Sequence, residues 1–282
     1  MPALREGVVL QELDGVRAWV REEQLSAADR KELVFWSTSP TQSPRSAFLD
    51  SVLVKALDLL HFDLLWRRLG LEAGMTCLEV GAGQGWASAM LKSRVPGAEI
   101  HAADVSPDAI RCAGRWEAAF ESRLAGRWAF PVADAPFADA QFDRIFLFAA
   151  LHHFGTANDF TAPLAEMRRL LKPGGRIVAF NEPVSPPYLY ARAVRQFNDY
   201  RKHGQGADVD EDVLVMERLR RQAASAGLDI EAEYEPVLIF KEHSWVGAVR
   251  SMIVRTFPFL NTRVSSGAHL TFTPRRAAAA GR

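Results

Sequence analysis

The chain has 282 residues, enough for one large domain or two smaller ones. It is 48% hydrophobic and 24% charged, values that suit a globular protein able to bury a full core. Lys plus Arg and Asp plus Glu each total 34, a formal net charge of zero, which argues against broad electrostatic binding to nucleic acid.

No stretch approaches the roughly 20 apolar residues of a membrane span, so no membrane partner is expected. No apolar run precedes Arg5, Glu6, Gln11 and Glu12, so a secretory signal is not expected and a cytoplasmic location is. Cys77 and Cys112 stand in apolar surroundings without metal-ligand spacing and read as reduced thiols.

Residues 1–70 read as a mostly helical N-terminal extension, broken by the polar, proline-bearing stretch 37–44. Phe35 and Trp36 lie just before that break and are candidates for an aromatic lid. Residues 71–282 read as the main domain. From 76 to 183 strand and helix patterns alternate with short connections, which implies a parallel sheet.

Thr76–Val80 is expected as a buried strand that ends at a glycine loop, and Trp86–Arg94 as the helix after it. A second strand is expected at 99–105, followed by a helix start at Ser106-Pro107-Asp108, with an N-cap, a proline in the first turn and an acid. Residues 128–133 and 142–151 read as the third and fourth strands. Residues 163–171 read as a helix stopped by Lys172-Pro173-Gly174-Gly175, and 176–180 as a fifth strand.

A helical insertion is expected at about 184–226, opening with Pro186-Pro187. Arg218, Arg220 and Arg221 within it form either a local basic patch or the solvated face of a helix. A strand near 228–240, a helix near 244–255 and a last strand near 268–273 follow.

The central motif is Leu78-Glu79-Val80-Gly81-Ala82-Gly83-Gln84-Gly85. Its glycines let the backbone turn sharply from strand to helix and approach a ligand closely. The dinucleotide fingerprint G-x-G-x-x-G would need a glycine where Trp86 stands, so nicotinamide binding is disfavoured. Asp104 ends the next strand, 23 residues after Gly81, where a carboxylate can accept from two ribose hydroxyls. It could also cap a helix or face solvent.

Four further segments follow in order: Asp134-Ala135 within Val132-Ala133-Asp134-Ala135-Pro136-Phe137, then Gln141-Phe142-Asp143-Arg144-Ile145, Ala150-Leu151-His152-His153-Phe154 and Leu170-Leu171-Lys172-Pro173-Gly174-Gly175-Arg176. Together, over roughly 72–183, these motifs resemble the class I S-adenosylmethionine-dependent methyltransferases.

That resemblance implies an α/β, Rossmann-like sheet of seven strands, mostly parallel, with an antiparallel last strand. It implies S-adenosyl-L-methionine as cofactor, held by Glu79, Gly81, Gly83, Gly85, Asp104, Asp134 and Ala135. In the family an acid at Asp134 takes the adenine amino group, although here it could instead cap the turn before Pro136. Glu79 is expected to orient the glycine loop, or to reach the methionine ammonium through water.

The expected reaction is methyl transfer to an oxygen or nitrogen of a small molecule, with a sugar or natural product as candidate acceptors. The rival reading keeps the cofactor with other chemistry, or with a binding role alone. Catalytic candidates lie beyond the carboxyl ends of the strands: His152 or His153 as a base, with Glu182 as a second choice. Each has an alternative role in positioning. Tyr188, Tyr190, Phe197 and Tyr200 could join a lid, scattered His203 and His243 suggest no metal site, and His61 on a helical stretch reads as a surface or satisfied core histidine.

Overall fold

The computed structural model describes residues 1–38, 45–155, 158–195, 212–235 and 266–275, with isolated positions between 249 and 263. His203, His243, Phe197 and Tyr200 lie outside the described residues, as does most of the helix expected near 244–255.

The chain opens with two short strands, β1 (Gln11–Leu13) and β2 (Val16–Ala18). Helices α1 (Ala27–Thr38) and α2 (Arg45–Leu65) come next. The alternating region runs β3 (Thr76–Val80), α3 (Trp86–Arg94), β4 (Glu99–Asp104), α4 (Pro107–Arg111), α5 (Ala113–Ala119), β5 (Gly126–Ala129) and β6 (Phe142–Phe148). It continues with α6 (Thr161–Leu170) and β7 (Leu171–Ser185). The chain closes with β8 (Leu214–Val215), α7 (Met216–Ser225), β9 (Leu228–Glu235) and β10 (Ser266–Pro274).

All strands join one sheet in the order β1-β2-β5-β4-β3-β6-β7-β10-β9, with β8 pairing β7 off this path. Seven of them, β5 to β9 in that order, are the sheet expected from the sequence. The last strand β10 runs antiparallel to both neighbours, with Leu270 opposite Ala179 and Ala232.

Along β6, Ile145 and Leu147 join the core on one face of the sheet, while Phe146 and Phe148 join the core on the other. That alternation is what a strand covered on both sides requires. The first core includes α6 and α7 through Leu164, Met167, Leu219 and Ala223. The second takes in α2, where Phe62 stacks on Phe146 at 5.6 Å and meets Phe148, Phe180 and Trp86 edge-on. Docking α2 by a fully buried phenylalanine fixes the N-terminal extension on the sheet.

Besides α1 and α2, the first 70 residues hold the hairpin β1-β2, which the sequence reading did not separate from helix. The turn is Asp14-Gly15, with φ of 50° and 81°. Positive φ at both central residues is what a two-residue hairpin turn needs, and Asp-Gly is a common pair for it. β2 then adds to the sheet edge in parallel with β5, Arg17 opposite Trp128.

Cys77 and Cys112 are both free and buried, and burial pushes the Cys77 thiol far above its usual range. Arg218, Arg220 and Arg221 lie on the exposed face of α7. Among the described residues no helix is long and apolar enough to cross a membrane, and no cluster of His, Cys, Asp and Glu could hold a metal.

Candidate active site

The strand order reverses between β3 and β6, and β3, β4 and β6 end on the same side of the sheet. Open α/β sheets bind ligands at such a point, beyond the carboxyl ends. A cleft of about 180 Å³ lies there. It is lined by the chain from Glu79 to Gln84, by Asp104, by Phe148–Ala150 with His153 and Phe154, and by one side of α1.

The glycine loop has the expected form. Gly81, Gly83 and Gly85 have φ of 69°, 51° and 73°, the left-handed region that side chains disfavour. At Gly81 a Cβ would stand 2.8 Å from the Ala150 Cβ and 2.9 Å from Phe154 Cζ. Glycine there is a packing requirement as well as a backbone one.

Asp104 is 8% exposed and ties the loop to the strand. Its Oδ2 accepts from the Gly83 N–H at 2.7 Å and its Oδ1 from the Ser106 N–H at 3.0 Å. Burial, joined by the charges of Glu32 and Asp29, pushes its carboxyl up to about 7. An ionised carboxylate has about four acceptor positions, so two remain for a ligand.

Glu79, also buried, accepts from the Ser88 N–H at 2.9 Å and from the Ser88 hydroxyl, which pins α3 under the loop. Burial pushes its carboxyl up to about 8. Lys55 of α2 also lines the cleft, its Nζ paired with Asp58 at 3.2 Å.

The other acidic position expected to touch the cofactor has different partners. Asp134 is absent from the cleft lining. Its Oδ1 accepts from Arg5 at 2.7 Å, and its Oδ2 from Arg21 at 2.7 Å and the Trp19 indole at 3.0 Å. Burial works against ionisation, but Arg5 and Arg21 outweigh it and hold the carboxyl below its usual range. The side chain anchors the N-terminal segment. Ala135 is fully buried and its N–H donates to Glu166 at 3.1 Å, again away from the cleft. Phe130 and Val132 are the residues of this stretch that reach the cavity.

The three catalytic candidates separate cleanly. Glu182 is fully buried, and its carboxylate accepts from the N–H groups of Ala150 and Leu151 at 2.9 Å and of His152 at 3.2 Å. It also pairs with His152 Nδ1 at 2.9 Å. Burial alone would raise its pKa, but these partners, His152 first, hold it below the usual carboxylate range. Neither Glu182 nor His152 lines the cleft, so both support the turn after β6. His153, next in the chain, lines the cleft and pairs through Nδ1 with Glu32 of α1 at 3.1 Å.

Phe35 and Trp36 line the cleft from α1, with Trp36 Cζ2 3.4 Å from where a Gly83 Cβ would be. Asp29 and Glu32, from the same helix, were not singled out from sequence. Their signal was available, since 29, 32 and 36 are spaced i, i+3, i+7 and share a helix face. Tyr188 is 71% exposed and bonds the Arg263 carbonyl, while Tyr190 donates to Asp212 at 2.8 Å; neither lines the cleft.

Residues 78–179 match the family model of a methyltransferase domain. A demethylmenaquinone methyltransferase of Thermus thermophilus is 34% identical over 143 residues, 48% of this chain and 62% of that protein. A ubiquinone/menaquinone biosynthesis C-methyltransferase of Idiomarina loihiensis is 33% identical over 168 residues, 55% of this chain and 65% of that protein. The chain thus spans less than two thirds of these relatives' length. Geranyl diphosphate C-methyltransferase from Streptomyces coelicolor, solved with Mg2+, geranyl diphosphate and S-adenosyl-L-homocysteine, shares the fold. The two superpose with a TM-score of 0.64 at 15% identity, over 89% of this chain and 99% of that one. Residues 78–179, opening on that glycine loop, thus match a methyltransferase domain, and over that stretch the chain is similar to S-adenosylmethionine-dependent methyltransferases.

Proposed function

We propose that this chain transfers the methyl group of S-adenosylmethionine to a small molecule. The observation that carries the proposal is the meeting of the glycine loop and Asp104 in one acid-lined cleft. Asp29, Glu32, Glu79 and Asp104 line it, and the like charges of Glu32 and Asp29 help burial raise the Asp104 carboxyl, so the cleft suits a cationic ligand. A sulfonium nucleoside with an ammonium group is such a ligand. The loop from Gly81 to Gly85 would approach it by backbone, and the remaining acceptor positions of Asp104 would take its ribose hydroxyls.

Bound there, the nucleoside supplies an electrophilic methyl group with a good leaving group already attached. The chain's own part is alignment and exclusion of water. Phe35, Trp36, Phe148 and Phe154 give the cleft an apolar aromatic side that would seat the acceptor beside His153. Of the three candidate bases, His153 has access to that space. Relatives named as C-methyltransferases extend the attacked atom from the oxygen or nitrogen first expected to a carbon. An apolar, aromatic acceptor of the quinol type fits both the lining and those relatives better than a sugar does.

Calorimetry with S-adenosylmethionine and S-adenosylhomocysteine tests the first half, and Asp104→Ala should weaken both by at least ten-fold. Transfer of labelled methyl to demethylmenaquinol, simple phenols and a cell extract tests the second. Purified protein that ignored the nucleoside at millimolar concentration would end the proposal. Binding without transfer to any acceptor would favour the reading with other chemistry.

A further inference from the structure

We propose that the exposed apolar helix face made by Val249, Met252, Ile253 and Phe257, at the cleft end of the sheet, lies on an anionic lipid surface. The inference goes beyond the methyl-transfer reading and does not depend on it. It also departs from the expectation of no membrane partner, which rested on the lack of a span. This face would lie along a bilayer, not cross it.

Among the described positions, Val249, Met252, Ile253 and Thr256 are helical. The Thr256 hydroxyl donates to the Met252 carbonyl at 2.9 Å and the Phe257 N–H to the Ile253 carbonyl at 2.9 Å, each one helical turn back. Residues 249, 252, 253, 256 and 257 are spaced i, i+3, i+4, i+7 and i+8, the stripe that a surface helix turns toward its core. Here the stripe faces out. Met252 is 62% exposed and Phe257 50%, with Val249 and Ile253 at 41% and 42%. A single exposed apolar side chain is ordinary, whereas four on one face mark a contact surface.

The sheet fixes where this surface stands. β9 ends at Glu235, opposite Gly267, and β10 begins at Ser266, opposite Val184 of β7. β7 runs parallel to β6, so Val184 lies toward the carboxyl ends of the strands, where the cleft opens. The connection 236–265 therefore leaves and rejoins the sheet at its cleft end. Its return is fastened by Tyr188, just past β7, whose hydroxyl donates to the Arg263 carbonyl.

Charge selects the occupant. From Ser244 to Arg282 the sequence has six arginines, 250, 255, 263, 275, 276 and 282, and no Asp or Glu, in a chain whose net charge is zero. Arg275 is engaged by Asp229 at 2.8 Å, and Arg263 is exposed beside the stripe. A bilayer with acidic headgroups matches both features, acyl chains for the stripe and phosphates for the arginines. Nucleic acid would match the charge alone. A second copy of this chain, with no net charge, would match the apolar stripe alone.

The test sediments the full chain with vesicles of phosphatidylcholine alone, and with vesicles in which about one-third is replaced by phosphatidylglycerol, at about 0.1 M salt. Binding to the anionic vesicles should be stronger by about ten-fold or more, and about 0.5 M salt should remove most of that difference. Met252→Ser combined with Phe257→Ser should weaken anionic-vesicle binding by about ten-fold or more, with an unchanged melting temperature, because both side chains are already exposed. Val249→Ser with Ile253→Ser asks the same question of the same face should the first pair fold poorly.

Wild type that binds neither kind of vesicle, or both equally, overturns the proposal whatever the variants do. Anionic binding that the serine variants leave unchanged places the contact elsewhere and also overturns it. A wild-type chain that sediments alone as a dimer, and that the serine variants return to monomer, puts a second copy on the face and overturns it as well.

Discussion

Replacing Glu182 with alanine should cost far more stability than a surface carboxylate would, because of what the side chain leaves behind. Three backbone N–H groups, from Ala150, Leu151 and His152, and the His152 ring lose their acceptor inside the core. Breaking a buried charge pair by removing one partner costs about 3–5 kcal/mol. Hydrogen bonds to charged groups count for roughly 1.5–3 kcal/mol each but do not add, so a total near 4 kcal/mol is reasonable. In a chain of this size each kcal/mol lowers the melting temperature by about 2–4 °C, so a fall of roughly 10 °C is expected.

Glu182→Gln keeps an oxygen for the Ala150 and Leu151 N–H groups but turns an amide donor toward His152, and about half that loss should follow. The sign of the pH dependence is fixed too. The folded pKa of Glu182 is lowered, so its stabilisation is present above the unfolded value of about 4.3 and is lost as pH falls through the folded value below that. The gap between wild type and Glu182→Gln should therefore narrow below about pH 4. Urea unfolding followed by circular dichroism from pH 7 downward measures both effects. A Glu182→Ala protein within about 1 kcal/mol of wild type at pH 7 would refute the reasoning.

Three shorter expectations accompany it. Gly85→Ala should destabilise by about 2–4 kcal/mol, since its Cβ would stand 2.7 Å from the Ala113 Cβ at a φ of 73°. Gly174→Ala has φ of 78° in open space and should cost only about 1 kcal/mol, a contrast that thermal melts would reveal. Asp134→Asn should lower the melting temperature by releasing Arg5 and Arg21, yet leave the Kd for S-adenosylhomocysteine nearly unchanged; a ten-fold weaker Kd would restore the adenine contact. The Asp104 carboxyl sits at about 7 in the folded chain, above its unfolded value, so ligand-free protein should lose stability as pH rises through about 7. Nucleoside affinity should run the other way and weaken below about pH 7, and Asp104→Asn should reduce both trends in calorimetry and melting, with Glu79, raised to about 8, keeping part of the stability trend.

Much of the alternating region was legible because local signals there agree with each other. Thr76–Val80 and Trp86–Arg94 occupy the residues expected of them, bounded by the glycine loop and Val95-Pro96-Gly97. The N-cap expected at Ser106 accepts from the Ala109 N–H at 3.3 Å. Ends were harder. The third strand stops at Ala129 instead of 133, since Pro131 cannot donate to a ladder and the chain turns into a 3-10 helix at Val132–Asp134. The fourth stops at Phe148 instead of 151, because Ala149 adopts a φ of 48° and Glu182 takes the next N–H groups. The fifth grows at both ends, to Leu171–Ser185, since β6 pairs with Leu171 at one end and β10 and β8 pair with its continuation at the other. The limits of the fourth and fifth strands involve partners far along the chain.

The same distinction explains the site. Motif position says which side chains emerge at the carboxyl ends of the strands and so could reach a ligand. It does not say which protein groups reach them first. Asp104 finds its partners within the glycine loop and next turn, and remains a cleft residue as its position suggests. Asp134 meets donors from Arg5, Trp19 and Arg21, more than 100 residues upstream, and is drawn out of the cleft. Glu182 meets the turn 30 residues before it and is drawn beneath the cleft. Glu32, which no motif marks, enters the cleft because α2, docked through Phe62, and the cap at Ser26 bracket the helix that bears it. Which acids face the ligand is thus decided by where the N-terminal segment packs, so exchanging that segment between relatives should change the cleft more than exchanging the motifs would.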